Sequence, residues 1–138
     1  MQSSNLTSKK EVAALLKEAG IHPSKRLGQN FLIDRVVLDS IVNEVRKAHP
    51  REIVEIGAGL GTVTHELAGT ADHIIAVELD RRLAKILERT VGQQGNVEIR
   101  RQDFLSFSLA AELASEKTFV VGNIPYRITA PILKHLVK

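Results

Sequence analysis

The chain has 138 residues, 43% hydrophobic and 25% charged, with a formal net charge of +3 and no cysteine. That length suits one compact domain with a real core. The composition excludes a disordered or collagenous chain, disulfides, thiolate metal sites and cysteine nucleophiles. No apolar run approaches the ~20 residues needed to span a bilayer. The polar first ten residues lack the apolar core of a signal peptide, so a cytoplasmic protein with no membrane partner is expected. Residues 1–50 carry eight Lys/Arg against five Asp/Glu, while residues 51–138 carry eleven of each. The basic excess in the N-terminal third suits a polyanion, although a solvated surface has the same composition.

In chain order, Ser8-Lys9-Lys10-Glu11 has the spacing of a capping box, with Ser8 as cap and Glu11 reaching back. Val12, Leu15, Leu16 and Ala19 then recur at helical spacing until Gly20. A basic loop over residues 22–30 comes next, punctuated by Pro23. Asp34 caps a second helix with the stripe Val37, Leu38, Ile41, Val42 and Val45, ending near His49-Pro50. From Arg51 the pattern changes. Residues 52–56, 74–78, 97–101 and 118–121 read as strands. Residues 63–68, 81–90 (Leu83, Ile86 and Leu87 inward) and 109–114 read as helices, and Pro131 opens a last helix running to Lys138. Such alternation predicts an α/β fold with a parallel sheet covered on both faces.

Several groups of residues fall at predicted strand ends. Glu55-Ile56-Gly57-Ala58-Gly59-Leu60-Gly61-Thr62 places three alternating glycines between a strand and a helix, where backbone can approach a ligand. Thr62 stands where a dinucleotide fingerprint wants glycine, which argues against a nicotinamide cofactor. Glu78 lies near the ~20-residue interval at which an acid receives the hydroxyls of an adenosine ribose; its two oxygens suit vicinal hydroxyls. Asp80 reads as an exposed strand-end acid. Asp103 can accept from an adenine amino group or cap a helix, and Phe104 offers the ring an apolar contact. Asn123-Ile124-Pro125-Tyr126 combines an amide acceptor, a proline-fixed backbone and an aromatic face, a holder for a planar base bearing an amine.

Taken together, Lys25-Arg26-Leu27-Gly28-Gln29-Asn30-Phe31-Leu32-Ile33-Asp34, residues 54–62 and 76–80, Gln102-Asp103-Phe104 and Gly122-Asn123-Ile124-Pro125-Tyr126 resemble the ribosomal RNA adenine N6,N6-dimethyltransferases. The resemblance covers essentially the whole chain. It fits the branch acting on small-subunit rRNA better than the macrolide-resistance branch acting on large-subunit rRNA. It implies a Rossmann-like S-adenosylmethionine-dependent methyltransferase fold, with N-terminal helices and a basic loop over 1–50 and a partial methyltransferase domain over 51–138. The fold would be truncated after the fourth parallel strand, with strand order 3-2-1-4; family members continue with further strands and a helical domain that helps to bind rRNA.

Position by position, the resemblance implies Gln29, Asn30 and Leu32 at the cofactor's methionine and ribose end, with Gly57 and Gly59 close to it. Glu55 would polarise the region around the cofactor's amino group. Glu78 would hold the ribose and Asp103 the adenine amine, beside Phe104 and Asn123. Asn123 and the Ile124 carbonyl would accept from the target amine, next to Pro125, and Tyr126 would stack on the target base. The implied cofactor is S-adenosylmethionine, leaving as S-adenosylhomocysteine, with no metal; none of the five histidines has metal-ligand spacing. The implied partner is small-subunit ribosomal RNA, and self-association through the apolar fourth-strand edge, or marginal stability, is expected. A cofactor-binding module without turnover is the alternative from another class.

Overall fold

A computed structural model describes residues 5–22, 31–113, 116–124 and 126–138. Gln29, Asn30 and Pro125, and with them the basic loop from residue 23 to 30, lie outside the described residues.

Helix α1 (Lys9–Glu18) is capped by Ser8, whose hydroxyl accepts from Glu11 N at 3.4 Å. The reciprocal half of the capping box is absent. Ser8 N already donates to the Asn5 carbonyl, and the Glu11 carboxylate accepts from Asn5 N instead. Val12 and Leu16 are buried among Leu60, Leu83 and Ile86, so α1 packs on the strand–helix part of the chain rather than standing apart. Helix α2 (Arg35–Ala48) starts at Asp34, whose carboxylate accepts from Val36 N and Val37 N. Leu38, Val42 and Val45 are buried as expected, but Val37 is 45% exposed. It stands about 100° round the helix from Leu38, at the margin of the stripe.

The sheet has four parallel strands: β1 (Glu52–Ile56), β2 (His73–Val77), β3 (Val97–Arg100) and β4 (Thr118–Gly122). Their order is β3-β2-β1-β4, as expected. Val54 pairs with Ile75 on one side and Val120 on the other, so β1 is central and buried along its length. Helices α3 (Thr62–Leu67), α4 (Arg81–Val91), α5 (Leu109–Glu112) and α6 (Tyr126–Leu136) connect or succeed the strands. On one face of the sheet, α2 and α3 cover Ile53 and Ile74, and Leu87 and Val91 of α4 cover Ala76. On the other face, Val54, Ile56, Ile75 and Val77 meet Phe104, Phe107 and Ile132.

Boundaries shift by a residue or so from the sequence reading, and α6 differs more. It begins at Tyr126, so Pro131 lies inside it rather than in its first turn. An internal proline forfeits one helical hydrogen bond; burial of Ile132 against Phe104 and Phe107 offsets that loss. No helix among the described residues is long and apolar enough to cross a membrane.

The turn from β1 into α3 depends on Gly61. Its φ is +88°, and a Cβ there would stand 2.9 Å from Thr90 Oγ1 and 3.0 Å from both Leu87 Cδ1 and Val91 Cγ1. Thr90 Oγ1 also donates to the Leu60 carbonyl at 2.7 Å, fastening the turn to α4. Gly61→Ala therefore combines left-handed strain with crowding, and should lower unfolding stability by about 2–4 kcal/mol in urea titrations.

Candidate functional site

Parallel strands bring all their carboxyl ends to one side, and the segments leaving them enclose a cavity of about 330 Å³. Its walls come from Gly57 and Gly59 after β1, Glu78 to Asp80 after β2, Gln102 to Leu105 after β3, and Asn123 and Ile124 after β4. Phe31, and Ile128 and Ile132 of α6, also line it. This is where open α/β sheets take ligands.

The glycine loop is held against β2, with Gly57 N and Ala58 N both donating to the Val77 carbonyl, at 2.8 and 3.1 Å. Gly57 has φ +68° and a Cβ there would meet nothing within 4 Å, so this part of the wall is bare backbone. Glu78 is 7% exposed and accepts from Gly59 N and Asp80 N, each at 2.8 Å. Burial raises its pKa, and the backbone hydrogen bonds oppose that rise. A carboxylate oxygen can accept more than one hydrogen bond.

Asp80 is not a free strand-end acid. It caps α4, accepting from Arg82 N at 2.8 Å and Leu83 N at 3.4 Å, and pairs with the Arg82 guanidinium at 3.0 Å. Hydrogen bonding to Arg82 pulls its pKa down to about 2. Asp103 takes the capping role. It caps a 3-10 turn, Phe104–Ser106, through Leu105 N at 3.0 Å, and it lines the cavity. Phe104 stacks on Phe107 with ring centroids 5.8 Å apart and meets His135 edge-on at 5.5 Å. At the end of β4, a Cβ on Gly122 would sit 3.0 Å from the Ile56 carbonyl oxygen, so glycine lets β4 close tightly on β1 just before Asn123.

Two expected site residues are not among those that line the cavity. Glu55 does not line the cavity. It is 4% exposed on the face of β1 that α3 covers, and its carboxylate accepts from Thr64 Oγ1. Strand alternation explains this, because Ile56 takes the face toward Phe104 and its neighbour Glu55 must take the other. Leu32 packs on the α2 cluster, and its neighbour Phe31 lines the cavity. Tyr126 opens α6; its side chain lies outside what the structure describes. Reasoning from sequence passed over Phe31, Leu79, Leu105 and Ile128 as wall residues. Leu79 and Leu105, 64% and 41% exposed, directly succeed Glu78 and Phe104, and that adjacency was the signal available.

A sequence profile described as "Ribosomal RNA adenine dimethylase" matches residues 22–138. The chain belongs to the ribosomal RNA adenine dimethylase family. It is 38% identical to Ribosomal RNA small subunit methyltransferase A of Natranaerobius thermophilus, over 97% of this chain and 50% of that protein. With the protein of the same name from Thermotoga neapolitana it shares 42% identity, over 89% of this chain and 46% of the relative. The chain thus spans about half the length of the curated relatives it matches. Among solved structures it is similar to the 23S rRNA methyltransferase ErmE, with TM-score 0.67 and 33% identity, over 79% of this chain and 43% of that one. An O-methyltransferase from Bacillus cereus in complex with SAH shares the fold at TM-score 0.68 and 16% identity, over 94% of this chain and 61% of that one. The α/β methyltransferase fold of the family is therefore present here, built on the four-strand sheet.

The buried Glu55 sets a pH dependence. Burial pushes its pKa from 4.5 up to about 8, so the folded chain retains a proton that the unfolded chain releases above 4.5. Its favourable contribution is complete below 4.5, declines as pH rises toward about 8, and levels off beyond. Thermal melts monitored by circular dichroism should show Tm falling across that window, and Glu55→Gln should flatten the fall.

Proposed function

We propose that this chain carries the cofactor-binding half of an S-adenosylmethionine-dependent dimethylation of the exocyclic amine of adenines in small-subunit ribosomal RNA, a step in ribosome biogenesis. The observation that carries the reading is the Glu78 carboxylate, buried at the cavity and held between Gly59 N and Asp80 N. That arrangement suits the two ribose hydroxyls of an adenosine, with apolar walls from Phe31, Leu79 and Phe104 and bare backbone at Gly57. The cavity volume is at the low end of the range of small-molecule pockets, about 300–1,000 Å³.

When bound, S-adenosylmethionine supplies a methyl group activated by its sulfonium. The chain's own residues orient the acceptor. Asn123 and the Ile124 carbonyl, at the end of β4, would accept the two hydrogens of the target amine. That favours a pyramidal nitrogen with its lone pair directed at the methyl, and alignment with preorganised electrostatics supplies most of the rate. No general base is needed, because the proton can leave after transfer. Asp103 would take the cofactor's adenine amine, Gln29 and Asn30 its methionine end, and Tyr126 would stack on the target base. Two relatives named for the small subunit, at 38% and 42% identity, favour that branch over the large-subunit one, represented by ErmE at 33%.

Calorimetric titration should give saturable binding of S-adenosylmethionine and none of a nicotinamide dinucleotide. Glu78→Ala should weaken the former about 10–100-fold, the loss of a charge-assisted hydrogen-bond pair. No binding by a chain shown to be folded would sink the reading.

The order β3-β2-β1-β4 leaves β4 at a sheet edge, with Phe119, Val120 and Val121 half-buried. Pairing of that edge with a second copy is part of the same reading. Sedimentation velocity should show the weight-average coefficient rising with concentration; a monomer throughout would count against it.

A further inference from the structure

The glycine loop is fastened to two different elements. Its first half is tied to the end of β2, where Gly57 N and Ala58 N donate to the Val77 carbonyl and Gly59 N to the Glu78 carboxylate. Its second half is tied to α4. Thr90 Oγ1 donates to the Leu60 carbonyl at 2.7 Å, the one side-chain hydrogen bond to residues 60 and 61 among the described residues. A helical threonine ordinarily returns its hydroxyl to the carbonyl three or four residues back. Here that carbonyl, of Leu87, is farther away at 3.2 Å, and the single hydroxyl proton goes to the loop. The Leu60 side chain is buried among Val12, Leu16, Leu83 and Ile86. Neither Leu60 nor Thr90 lines the cavity, but Gly59, between Leu60 and the bond to Glu78, does. The Thr90 hydroxyl thus bears on the cavity by a short route through the Leu60 carbonyl, the Gly59 backbone and the Glu78 carboxylate.

We propose that Thr90 is a positioning residue that sets the ligand affinity of the cavity from outside it, by fixing the Leu60 peptide and with it the Gly59 N–H that holds Glu78. The proposal rests on the S-adenosylmethionine reading above. A loop with glycine at every second position has many backbone conformations of similar energy. Whatever the folded chain leaves loose must be ordered by the ligand, and that cost is subtracted from the affinity. Fastening the loop on both sides orders it during folding, so less remains to be ordered on binding. The bonds to β2 fix where the loop begins, and the Thr90 bond fixes the direction in which it leaves Gly59. Without that bond the backbone beyond Gly59 is free to rotate, and its N–H turns from Glu78. The carboxylate is then less firmly placed for the ribose hydroxyls. Helix α4 supports the site twice, through Asp80 N at its cap and Thr90 in its last turn. Because Thr90 does not line the cavity, its effect falls equally on every ligand that engages Glu78.

The test is calorimetric titration of the 138-residue chain and its variants with S-adenosylmethionine and S-adenosylhomocysteine, well below each Tm, with the Tm measured alongside. Thr90→Val keeps the shape of the side chain and removes the donor, whereas Thr90→Ser keeps the donor and removes the methyl. Thr90→Val should weaken both ligands about 3–10-fold, the effect of losing one hydrogen bond. Thr90→Ser should bind both as wild type does, even though loss of a packed methyl lowers its Tm. A residue that served stability alone would not separate the two variants in this way, since affinity would be unchanged in both or would follow Tm. In a Glu78→Gln background the loss from Thr90→Val should shrink to about twofold or less, because the two residues act in series. Unchanged affinity in Thr90→Val, an equal loss in Thr90→Ser, or an undiminished loss in the Glu78→Gln background overturns the proposal while leaving cofactor binding intact. Binding of neither ligand by the folded wild-type chain overturns the proposed function and this inference with it.

Discussion

Glu78 ties together two loops that leave neighbouring strands. One oxygen receives Gly59 N from the turn after β1, the other Asp80 N from the turn after β2. Those two bonds fix the spacing between the bare backbone of the glycine loop and the capped start of α4. Asp80 continues the chain of constraint, since its own side chain closes the first turn of α4. The carboxylate is buried for this purpose at an electrostatic cost, visible as its raised pKa, that the two N–H donors offset in part. Such a residue can be structural before any ligand arrives and can still offer its remaining lone pairs to one.

The elements that set this geometry were legible because they derive from periodicity. Strand β1 matches its predicted bounds, and the helices capped by Ser8, Asp34 and Asp80 begin where short polar side chains can take up open backbone N–H groups. The strand order agreed as well, but that came from family resemblance, since a run of alternating strands and helices does not by itself say which strand is central. Periodicity also has limits. It says that Glu55 points away from Ile56, but not that its carboxylate meets the Thr64 hydroxyl. Apolar wall residues such as Phe31 and Leu105 look like any other core residue until the loops are in place. Pro131 misled because propensity favours proline at a helix start, while the tertiary packing of Ile132 held a longer helix together.

The two faces of the sheet serve different ends. Helices α2, α3 and α4 make a close cover on one side, with Gly61 permitting α3 and α4 to approach within contact of its backbone. The opposite face is covered by aromatic rings and α6, where Phe104 is shared between core and cavity. His135 links these parts by meeting the Phe104 ring edge-on and hydrogen-bonding the Phe107 carbonyl at 2.6 Å. The wall of the cavity on that side is thus continuous with the packing of α6.

Helix α1 bears on how the chain can be engineered. Leu6, Val12, Leu16 and Ile21 share one cluster with Leu60, Leu83 and Ile86, and Arg89 of α4 reaches Glu18 at 2.9 Å. A boundary drawn at residue 51, where strand–helix alternation begins, would therefore cut through a packed interior rather than a linker. The backing of the glycine loop comes from residues more than forty positions earlier in the chain. A shortened version of this protein has to keep that N-terminal helix, even though it contributes no atom to the cavity.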